Sequence, residues 1–330
     1  MKRSLGRRQV NAIGLGCMNV SHAYGEPLPP AAGARILDRA IELGYDHFDT
    51  SRVYGGGRNE TLIGEVLKGR RNKVYLASKI GIHFADGRRW IDCSPAAIRA
   101  GLDQSLQALQ VDHIDLYYMH RRDFTVPIEE SVGAMADLVA AGKIGGIGLS
   151  EMSAETLRRA HAVHPIAAMQ TEYSPWSRNV EIAVLEATRE LGTALVAFSP
   201  LGRGALCGEL RDPATLVQSD LRNFLPRFQT GNWQRNLVLI DLLGKLAAEA
   251  GVTPTQLCLG WVLARAEHIH AIPGTTQIAH LEENVARADW VPGADLIAAV
   301  DALFTPTAVS GGRYTEELQS QVETEEFAPA

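Results

Sequence analysis

The chain is poor in cysteine and in basic charge, and it lacks a long hydrophobic run. Its four cysteines, Cys17, Cys93, Cys207 and Cys258, form no CxxC pair, which argues against a zinc site or a disulfide framework. A formal net charge of −6 provides no basic footprint for nucleic acid or an anionic membrane. The apolar stretch near the N-terminus is short and broken by glycine, so we expect neither a signal peptide nor a membrane span. These absences predict a cytoplasmic protein that binds small molecules.

What the 330 residues do contain is a regular alternation of short apolar strands and longer amphipathic helices. This alternation is typical of βα units on a parallel sheet, and eight units favour closure into a (β/α)8 TIM barrel. The predicted strands are 12–16, 45–49, 74–78, 114–119, 144–149, 167–171, 194–198 and 270–273. The predicted helices include 33–43, 95–109, 128–141, 154–161 and 179–191.

The competing architecture is an open, doubly wound sheet with a dinucleotide-binding glycine fingerprint. That fingerprint requires G-x-G-x-x-G after the first strand, but the sequence GLGCMNVSHAYG lacks the third spaced glycine. No linker or low-complexity tract divides the chain. We therefore expect one domain over residues 1–330, with an irregular extension from about residue 305.

Four ionisable side chains follow three neighbouring strands: Asp49 and Tyr54 after the second, Lys79 after the third and His120 after the fourth. Loops at the carboxyl ends of barrel strands converge on one mouth, so we expect these groups to share a site. The Lys79 ammonium would lower the pKa of Tyr54, while Asp49 holds the lysine. His120 could donate a hydrogen bond to a substrate oxygen. Taken singly, each residue is more simply explained by packing or solvation; together they suit proton transfer at oxygen while hydride moves at carbon.

Several long motifs make the sequence resemble the aldo-keto reductase family, in particular its bacterial members, over nearly the whole chain. The motifs are GYDHFDTSRVYGGGRNETLIGEVL at 44–67, ASK at 77–79, IDLYYMHRRD at 114–123, GKIGGIGLSE at 142–151 and AFSPLGRGAL at 197–206. The resemblance implies an NAD(P)H-dependent oxidoreductase that reduces aldehydes or ketones, or runs in reverse. The sequence offers no HExxH or Cys/His ligand spacing, so we expect no metal. The resemblance also implies that Asp49, Tyr54, Lys79 and His120 are catalytic, with Tyr54 as the general acid.

The resemblance further implies a nicotinamide cofactor that extends across the barrel mouth, NADP(H) as the first choice and NAD(H) as the second. Phe198 would stack on the nicotinamide, and Ser150 and Gln170 would bind its carboxamide. The implied cofactor contacts are Cys17, Met18, Asp49, Ser150, Gln170, Phe198, Ser199, Pro200, Leu201, Gly202, Arg203, Gly204, Gly274, Thr275, Thr276, Gln277, Glu283 and Asn284.

The chain departs from the family pattern at two places. Glu151 follows Ser150 where many members have asparagine, which weakens a second carboxamide contact. Gln277 and His280 stand near the adenosine end where relatives often place lysine or arginine. Because neutral groups bind a 2′-phosphate less tightly than fixed cations do, we expect only a small preference for NADP(H) over NAD(H).

The residues that would choose the substrate lie in loops and in the tail. Tyr24, Trp90, Arg121 and Trp176 are predicted to line the pocket, together with Arg313 and Tyr314. Aromatic rings suit an apolar body, whereas arginines suit an oxygen-rich or anionic one. Two alternatives remain open: a sugar or secondary-alcohol dehydrogenase that uses NAD(P)+, and a nucleotide-binding regulatory subunit resembling potassium-channel β subunits. The oligomeric state is not predicted.

Overall fold

The computed structural model describes residues 1–21 and 23–327, and its framework is a parallel sheet of eight strands. The strands stand in the sheet in the order in which the chain reaches them. Their bounds are Leu15–Gly16, His47–Asp49, Tyr75–Ile80, Leu116–Met119, Ile147–Ser150, Ile166–Glu172, Ala194–Phe198 and Ile269–Ile272. The first and last strands also meet, because the amide of Gly14 donates to the carbonyl of Ala271 at 2.9 Å. The sheet therefore closes, and the predicted (β/α)8 barrel is confirmed.

Helices cover the outside of this barrel. Their starts follow from local chemistry: the third helix has Pro95 at its first position, and Ser94 Oγ accepts from the amide of Ala97 at 3.3 Å. The predicted segment 179–191 differs, since it divides into the 3-10 turn Asn179–Glu181 and the helix Val184–Leu191. The helices are Pro30–Glu42, Arg58–Leu67, Pro95–Leu109, Ile128–Ala140, Ala154–Val163, Val184–Leu191, Asn232–Glu249, Pro254–Ala264, Ile278–Ala286, Ala294–Leu303 and Glu316–Gln319.

An N-terminal hairpin, which sequence reasoning missed, closes the bottom of the barrel. Its strands are Lys2–Leu5 and Arg8–Asn11, and only Leu5 and Val10 are fully apolar and buried within them. These two side chains pack among residues at the strand starts, such as Tyr75. The hairpin is too short and too basic to give a clear alternating pattern of apolar and polar residues, and for this reason the sequence analysis did not predict it.

A second hairpin stands at the opposite end, after the third barrel strand. Its strands, Ile82–Ala85 and Arg88–Ile91, are joined by Asp86 and Gly87, which have φ angles of 51° and 72°. Asp-Gly is the preferred pair for a two-residue turn with both φ values positive, so the sequence FADGRRW carried a usable hairpin signal.

The tail beyond residue 304 is tied back to the barrel. The amide of Glu323 donates to the carbonyl of Glu151 at 2.9 Å, and Asn179 Nδ2 donates to the carbonyl of Glu325 at 3.0 Å. Thr324 Oγ1 adds a bond of 2.9 Å to the Glu151 carboxylate. In the described ranges, no helix combines the length and apolar character needed to cross a membrane.

Candidate active site

A cavity of about 1260 Å³ opens at the carboxyl ends of the barrel strands. The second hairpin and the tail form one side of it, through Phe84 and Tyr314. Parallel strands direct their following loops to the same end, so groups distant in sequence meet here. The strand ends that reach the cavity include Gly16, Asp49, His120, Ser150, Gln170, Phe198 and Ile272.

Lys79 is the centre of a buried hydrogen-bonded group below this cavity. It is fully buried and ion-paired with Asp49. Its Nζ also donates to the carbonyl of Thr50 at 2.8 Å and to the Tyr54 hydroxyl at 3.3 Å. An ammonium has three N–H donors, so these contacts satisfy all of them. Asp49 accepts in addition from Gln170 Nε2 at 2.7 Å, and the structure thus brings Asp49, Tyr54 and Lys79 together.

The pKa of Tyr54 differs from the sequence-based expectation that Lys79 would lower it. Burial raises the pKa of Tyr54 above its usual value, and the Lys79 ammonium offsets only part of the rise. The predicted lowering is therefore wrong in its net direction for the protein alone, although Lys79 acts with the expected sign. Burial also opposes the charge of Lys79, but attraction to Asp49 and Tyr54 outweighs it and raises the pKa of the lysine. At neutral pH the site holds a neutral phenol beside an ammonium.

His120 faces Tyr54, with the ring centroids 5.9 Å apart and the planes at 80°. Burial, together with the charges of Lys79 and Arg121, lowers the pKa of His120 well below its usual range, so the imidazole is neutral. Its Nδ1 lies 3.2 Å from the hydroxyl of Ser51. When Ser51 donates to Nδ1, the ring proton is on Nε2. Sequence reasoning missed Ser51, because a serine two residues after Asp49 has no distinctive pattern before His120 is placed beside it.

Most of the residues predicted to contact a cofactor line the cavity. Cys17 and Gly202 do not. The Cys17 side chain is fully buried, with its thiol 3.6 Å from the Leu15 carbonyl. Gly202 lies against the Trp176 indole, where a Cβ would come within 2.5 Å of Nε1. The predicted residues that do line the cavity are Met18, Asp49, Ser150, Gln170, Phe198, Ser199, Pro200, Leu201, Arg203, Gly204, Gly274, Thr275, Thr276, Gln277, Glu283 and Asn284.

Arg203, one of the predicted cofactor contacts, lines the cavity but is already paired within the protein. Its Nη2 is ion-paired with Glu172 at 2.8 Å, and its Nη1 donates to the Tyr24 hydroxyl at 2.9 Å. Arg203 has a φ of 59°, an unfavourable backbone conformation for a residue with a Cβ. The carboxylate of Glu172, which sequence reasoning did not assign, thus already neutralises this guanidinium.

Glu172 belongs to a buried ionic cluster that we call the arginine clamp, and Glu151 is its second acid. Arg313 from the tail is ion-paired with Glu151 at 2.6 Å, with side-chain exposures of only 2% and 0%. The Glu151 side chain is therefore turned to the tail, and the missing asparagine at this position is replaced by a structural contact. The clamp comprises Glu151, Glu172, Arg203, Arg227 and Arg313.

The predicted adenosine end of the cavity is lined by Thr275, Gln277, His280 and Asn284. Thr275 Oγ1 accepts from the amide of Gln277 at 3.0 Å and lies 3.2 Å from His280 Nδ1. His280 Nε2 is 3.4 Å from the Glu209 carboxylate. Asn284 is buried, and its Oδ1 has no hydrogen-bond partner within the described residues. At this end the groups available to bind a 2′-phosphate are therefore hydroxyl, amide and imidazole groups, and Gln277 stands where relatives often place a lysine or arginine.

Three of the six residues predicted for the substrate pocket line the cavity, and three do not. Tyr24, Arg121 and Tyr314 line it, whereas Arg313 belongs to the arginine clamp. Trp176 is buried beneath Gly202, while Trp90 is 45% exposed and stacks on His83 with centroids 5.4 Å apart. Trp176 is thus a packing residue, and Trp90 stacks within its own hairpin without lining the cavity.

Comparison with known proteins agrees with this geometry. The model of the Aldo/keto reductase family matches residues 12–304. A probable aldo-keto reductase 1 from Glycine max is 42% identical over 315 residues, which cover 94% of this chain and 90% of the relative.

Solved structures give the same result. A glycerol dehydrogenase from Gluconobacter oxydans has a TM-score of 0.84 at 27% identity, covering 93% of this chain and 96% of that one. An aldo/keto reductase from Klebsiella pneumoniae, in complex with NADP and acetate, has a TM-score of 0.71 at 28% identity, covering 95% and 98%. The chain belongs to the aldo/keto reductase family and is an oxidoreductase.

Proposed function

We propose that this protein reduces aldehydes or ketones to alcohols with a nicotinamide cofactor, and that Tyr54 is the general acid. One observation carries the proposal: the Tyr54 hydroxyl borders the large cavity while Lys79 donates to it from below at 3.3 Å. A phenol held in this way can release a proton towards the cavity, and the phenolate that results gains an ammonium partner.

The residues present fit a nicotinamide dinucleotide. Phe198 offers a partly exposed aromatic face to the cavity, with Ser150 and Gln170 beside it on neighbouring strands. The Oδ1 of Asn284 is a buried acceptor that lacks a partner among the described residues, and a bound nucleotide could satisfy it. When bound, the cofactor supplies hydride to the carbonyl carbon.

The chain's own groups supply the proton and the orientation. Tyr54 gives its proton to the carbonyl oxygen, and the Lys79 ammonium stabilises the phenolate that remains. Asp49 holds Lys79 charged in a buried position. His120, neutral and carrying its proton on Nε2 when Ser51 donates to Nδ1, donates a hydrogen bond to the same carbonyl oxygen. Ser51 acts through His120 and is a positioning residue.

For the cofactor we propose NADP(H) first, with measurable use of NAD(H). The cavity continues to Thr275, Thr276 and Gln277, whose hydroxyl, amide and backbone groups can bind a 2′-phosphate. The absence of a fixed cation at Gln277 makes the expected preference shallow. Two Klebsiella pneumoniae relatives, 28% and 27% identical, were solved with NADP and NADPH, respectively, which supports this order.

The test is carbonyl-dependent oxidation of NADPH by the purified full-length chain, followed at 340 nm with a panel of aldehydes and ketones. The reverse direction, with NADP+ and glycerol or other alcohols, should be assayed in parallel because one structural neighbour is a glycerol dehydrogenase. Reduction that disappears in Tyr54→Phe supports the proposal. Tight NADPH binding without turnover in either direction would favour a regulatory, nucleotide-binding role instead.

We also propose that residues 1–330 form one barrel domain, with the segment from about residue 305 as an extension that completes the cavity wall. Tyr314 and Leu318 from this segment line the cavity beside the second hairpin. The partner that this arrangement suits is a small carbonyl compound or alcohol.

A further inference from the structure

The side of the cavity next to His120 carries two arginines without an acidic partner. Arg121 Nη1 donates to the His120 carbonyl at 2.7 Å and to Ser150 Oγ at 3.3 Å, and both acceptors are uncharged. Arg89, on the second hairpin, donates to the side-chain oxygen of Gln321, which is also uncharged. Over residues 1–21 and 23–327, no carboxylate oxygen lies within 4.0 Å of either guanidinium.

Arg121 keeps most of its hydrogen-bonding capacity available. A guanidinium has five N–H donors, and the two contacts of Arg121 use only those of Nη1. The Nε and Nη2 donors have no acceptor in the part of the chain that the structure describes. Arg121 lines the cavity, so these donors belong to the wall that a substrate meets. The planar fork matches the oxygens of a carboxylate or phosphate.

The two charges are also close enough to act on each other. Partial burial and repulsion from Arg121 lower the pKa of Arg89, and the attraction of Glu317 does not reverse this. Like charges held together without a counter-ion are unfavourable, and a bound anion would relieve the repulsion. The neighbouring arginines of the clamp are different, since Arg203 is paired with Glu172 and Arg313 with Glu151.

The location of this charge separates it from the predicted adenosine end. There the cavity is lined by the acids Glu209 and Glu283 and by His280, which lies in the helix Ile278–Ala286. Arg121 and Arg89 share the cavity wall with apolar and aromatic side chains of the second hairpin and the tail, such as Phe84 and Leu318, and Arg121 also contacts the hydroxyl of Ser150. The local cationic character is not a consequence of composition either, because the whole chain has a net charge of −6.

We propose that the substrate of this site is a carbonyl compound with an apolar or aromatic body that carries an oxoanion, a carboxylate or a phosphate, away from the carbonyl. Arg121 binds the oxoanion through its free donors, and Arg89 adds charge from the hairpin. The proposal rests on the proposed reductase function and specifies which carbonyl compounds that function selects.

The experiment compares three benzaldehydes with different para substituents. These are 4-carboxybenzaldehyde, its neutral methyl ester, and the phosphate ester of 4-hydroxybenzaldehyde. With NADPH saturating, kcat/KM for the better anionic probe should exceed that for the methyl ester by about 10- to 100-fold, the range for a charge-assisted hydrogen bond. The carboxylate and phosphate arms identify which oxoanion fits.

Variants then locate the preference. Arg121→Gln should reduce the anion-to-ester ratio at least about tenfold, and Arg121→Lys should retain most of it. Arg88→Gln is the matched control, because Arg88 is an exposed neighbour on the same hairpin that does not line the cavity. A merely structural role for Arg121 would lower turnover of all three probes and leave the ratio unchanged, which would overturn the proposal.

A binding measurement keeps this inference separate from the reductase function. Terephthalate, which cannot be reduced by this chemistry, should bind the wild-type protein in isothermal titration about tenfold or more tightly than it binds Arg121→Gln. Reduction of the neutral ester with no anion preference and no difference in terephthalate binding would overturn the oxoanion site while the reductase function stands. Raised NADPH dissociation constants in Arg121→Gln, with an unchanged probe ratio, would assign Arg121 to the cofactor instead and also overturn it.

Discussion

Two buried ionic groups lie at the same mouth of the barrel, and they differ in where their polar atoms are directed. In the first, Lys79 is satisfied by Asp49 and the Thr50 carbonyl, and its third bond goes to the Tyr54 hydroxyl at the cavity. In the arginine clamp, by contrast, the charges are directed at one another and at the tail: Glu151 binds Arg313 and Thr324.

The comparison teaches that burial and charge do not by themselves mark a catalytic group. Both groups contain buried carboxylates whose pKa is shifted: burial raises the pKa of Asp49, whereas the arginines, against the effect of burial, lower the pKa of Glu172. The Lys79 group presents a phenol hydroxyl to the cavity, whereas the clamp residue that borders it, Arg203, is already paired with Glu172. The clamp holds together the loops after three barrel strands and the tail, so its expected contribution is to stability and cavity shape.

The largest effect should come from Tyr54→Phe, which removes the proton that we assign to catalysis. We expect kcat/KM to fall by about 10²–10⁴-fold, with NADPH affinity within a few-fold of wild type. The control is Tyr118→Phe: the Tyr118 hydroxyl has no hydrogen-bond partner in the described chain and does not line the cavity. Near-normal steady-state reduction by Tyr54→Phe across several carbonyl probes would eliminate Tyr54 as the acid.

Lys79→Met should lose turnover to a similar extent and should also lower the free energy of unfolding by about 3–5 kcal/mol, because Asp49 is left buried and unpaired. Denaturant titration and single-turnover assays measure the two effects. The double variant Lys79→Met with Asp49→Asn should recover part of the stability but none of the activity. Recovered turnover in the double variant would show that the ammonium is not needed beside Tyr54.

Glu172→Gln tests the other half of the comparison. It leaves Arg203, Arg227 and Arg313 with one carboxylate, so we expect a loss of about 3–5 kcal/mol in the free energy of unfolding. Turnover per folded molecule should change far less than in Tyr54→Phe. A loss of turnover as large as that of Tyr54→Phe, without loss of stability, would place Glu172 in the chemistry and break the distinction.

The clamp should also give the protein a characteristic acid sensitivity. Burial opposes ionisation of Glu172, but Arg203 and Arg313 outweigh it and lower its pKa to about 2. A depressed folded-state pKa contributes stability above the unfolded value, and that contribution is lost as pH falls from about 4.5 towards 2. Between pH 4.5 and pH 2, the free energy of unfolding should fall by about 3 kcal/mol more in the wild-type protein than in Glu172→Gln. Parallel pH dependences of the two proteins in urea titrations would contradict the assignment.

The smallest effect concerns the far end of the cavity, where no buried ionic group is present among the described residues. Gln277→Arg should tighten NADPH by about 1–3 kcal/mol and scarcely change NADH, because only NADPH carries the 2′-phosphate. Isothermal titration of both cofactors against both proteins measures this. Equal effects on the two cofactors would show that Gln277 does not face the 2′ position.

The barrel and the main catalytic cluster could be predicted from the sequence because both depend on local order. Apolar strands alternating with amphipathic helices define βα units, and a barrel then directs every strand end to one mouth. Asp49, Lys79 and His120 lie within one residue of the ends of their strands, so their meeting requires only the topology. The second hairpin was also readable, from the pair Asp86 and Gly87.

The contacts between distant segments were decided by the tertiary structure, because no local sequence pattern predicts them. Arg313 meets Glu151 only because the tail folds back over the mouth, and Arg203, although it borders the cavity, is bonded to Glu172 and Tyr24. Trp90 and Trp176 were expected in the pocket because their side chains suit one, but packing places them elsewhere. The net pKa of Tyr54 likewise depends on burial, which opposes Lys79 and which only three-dimensional packing determines.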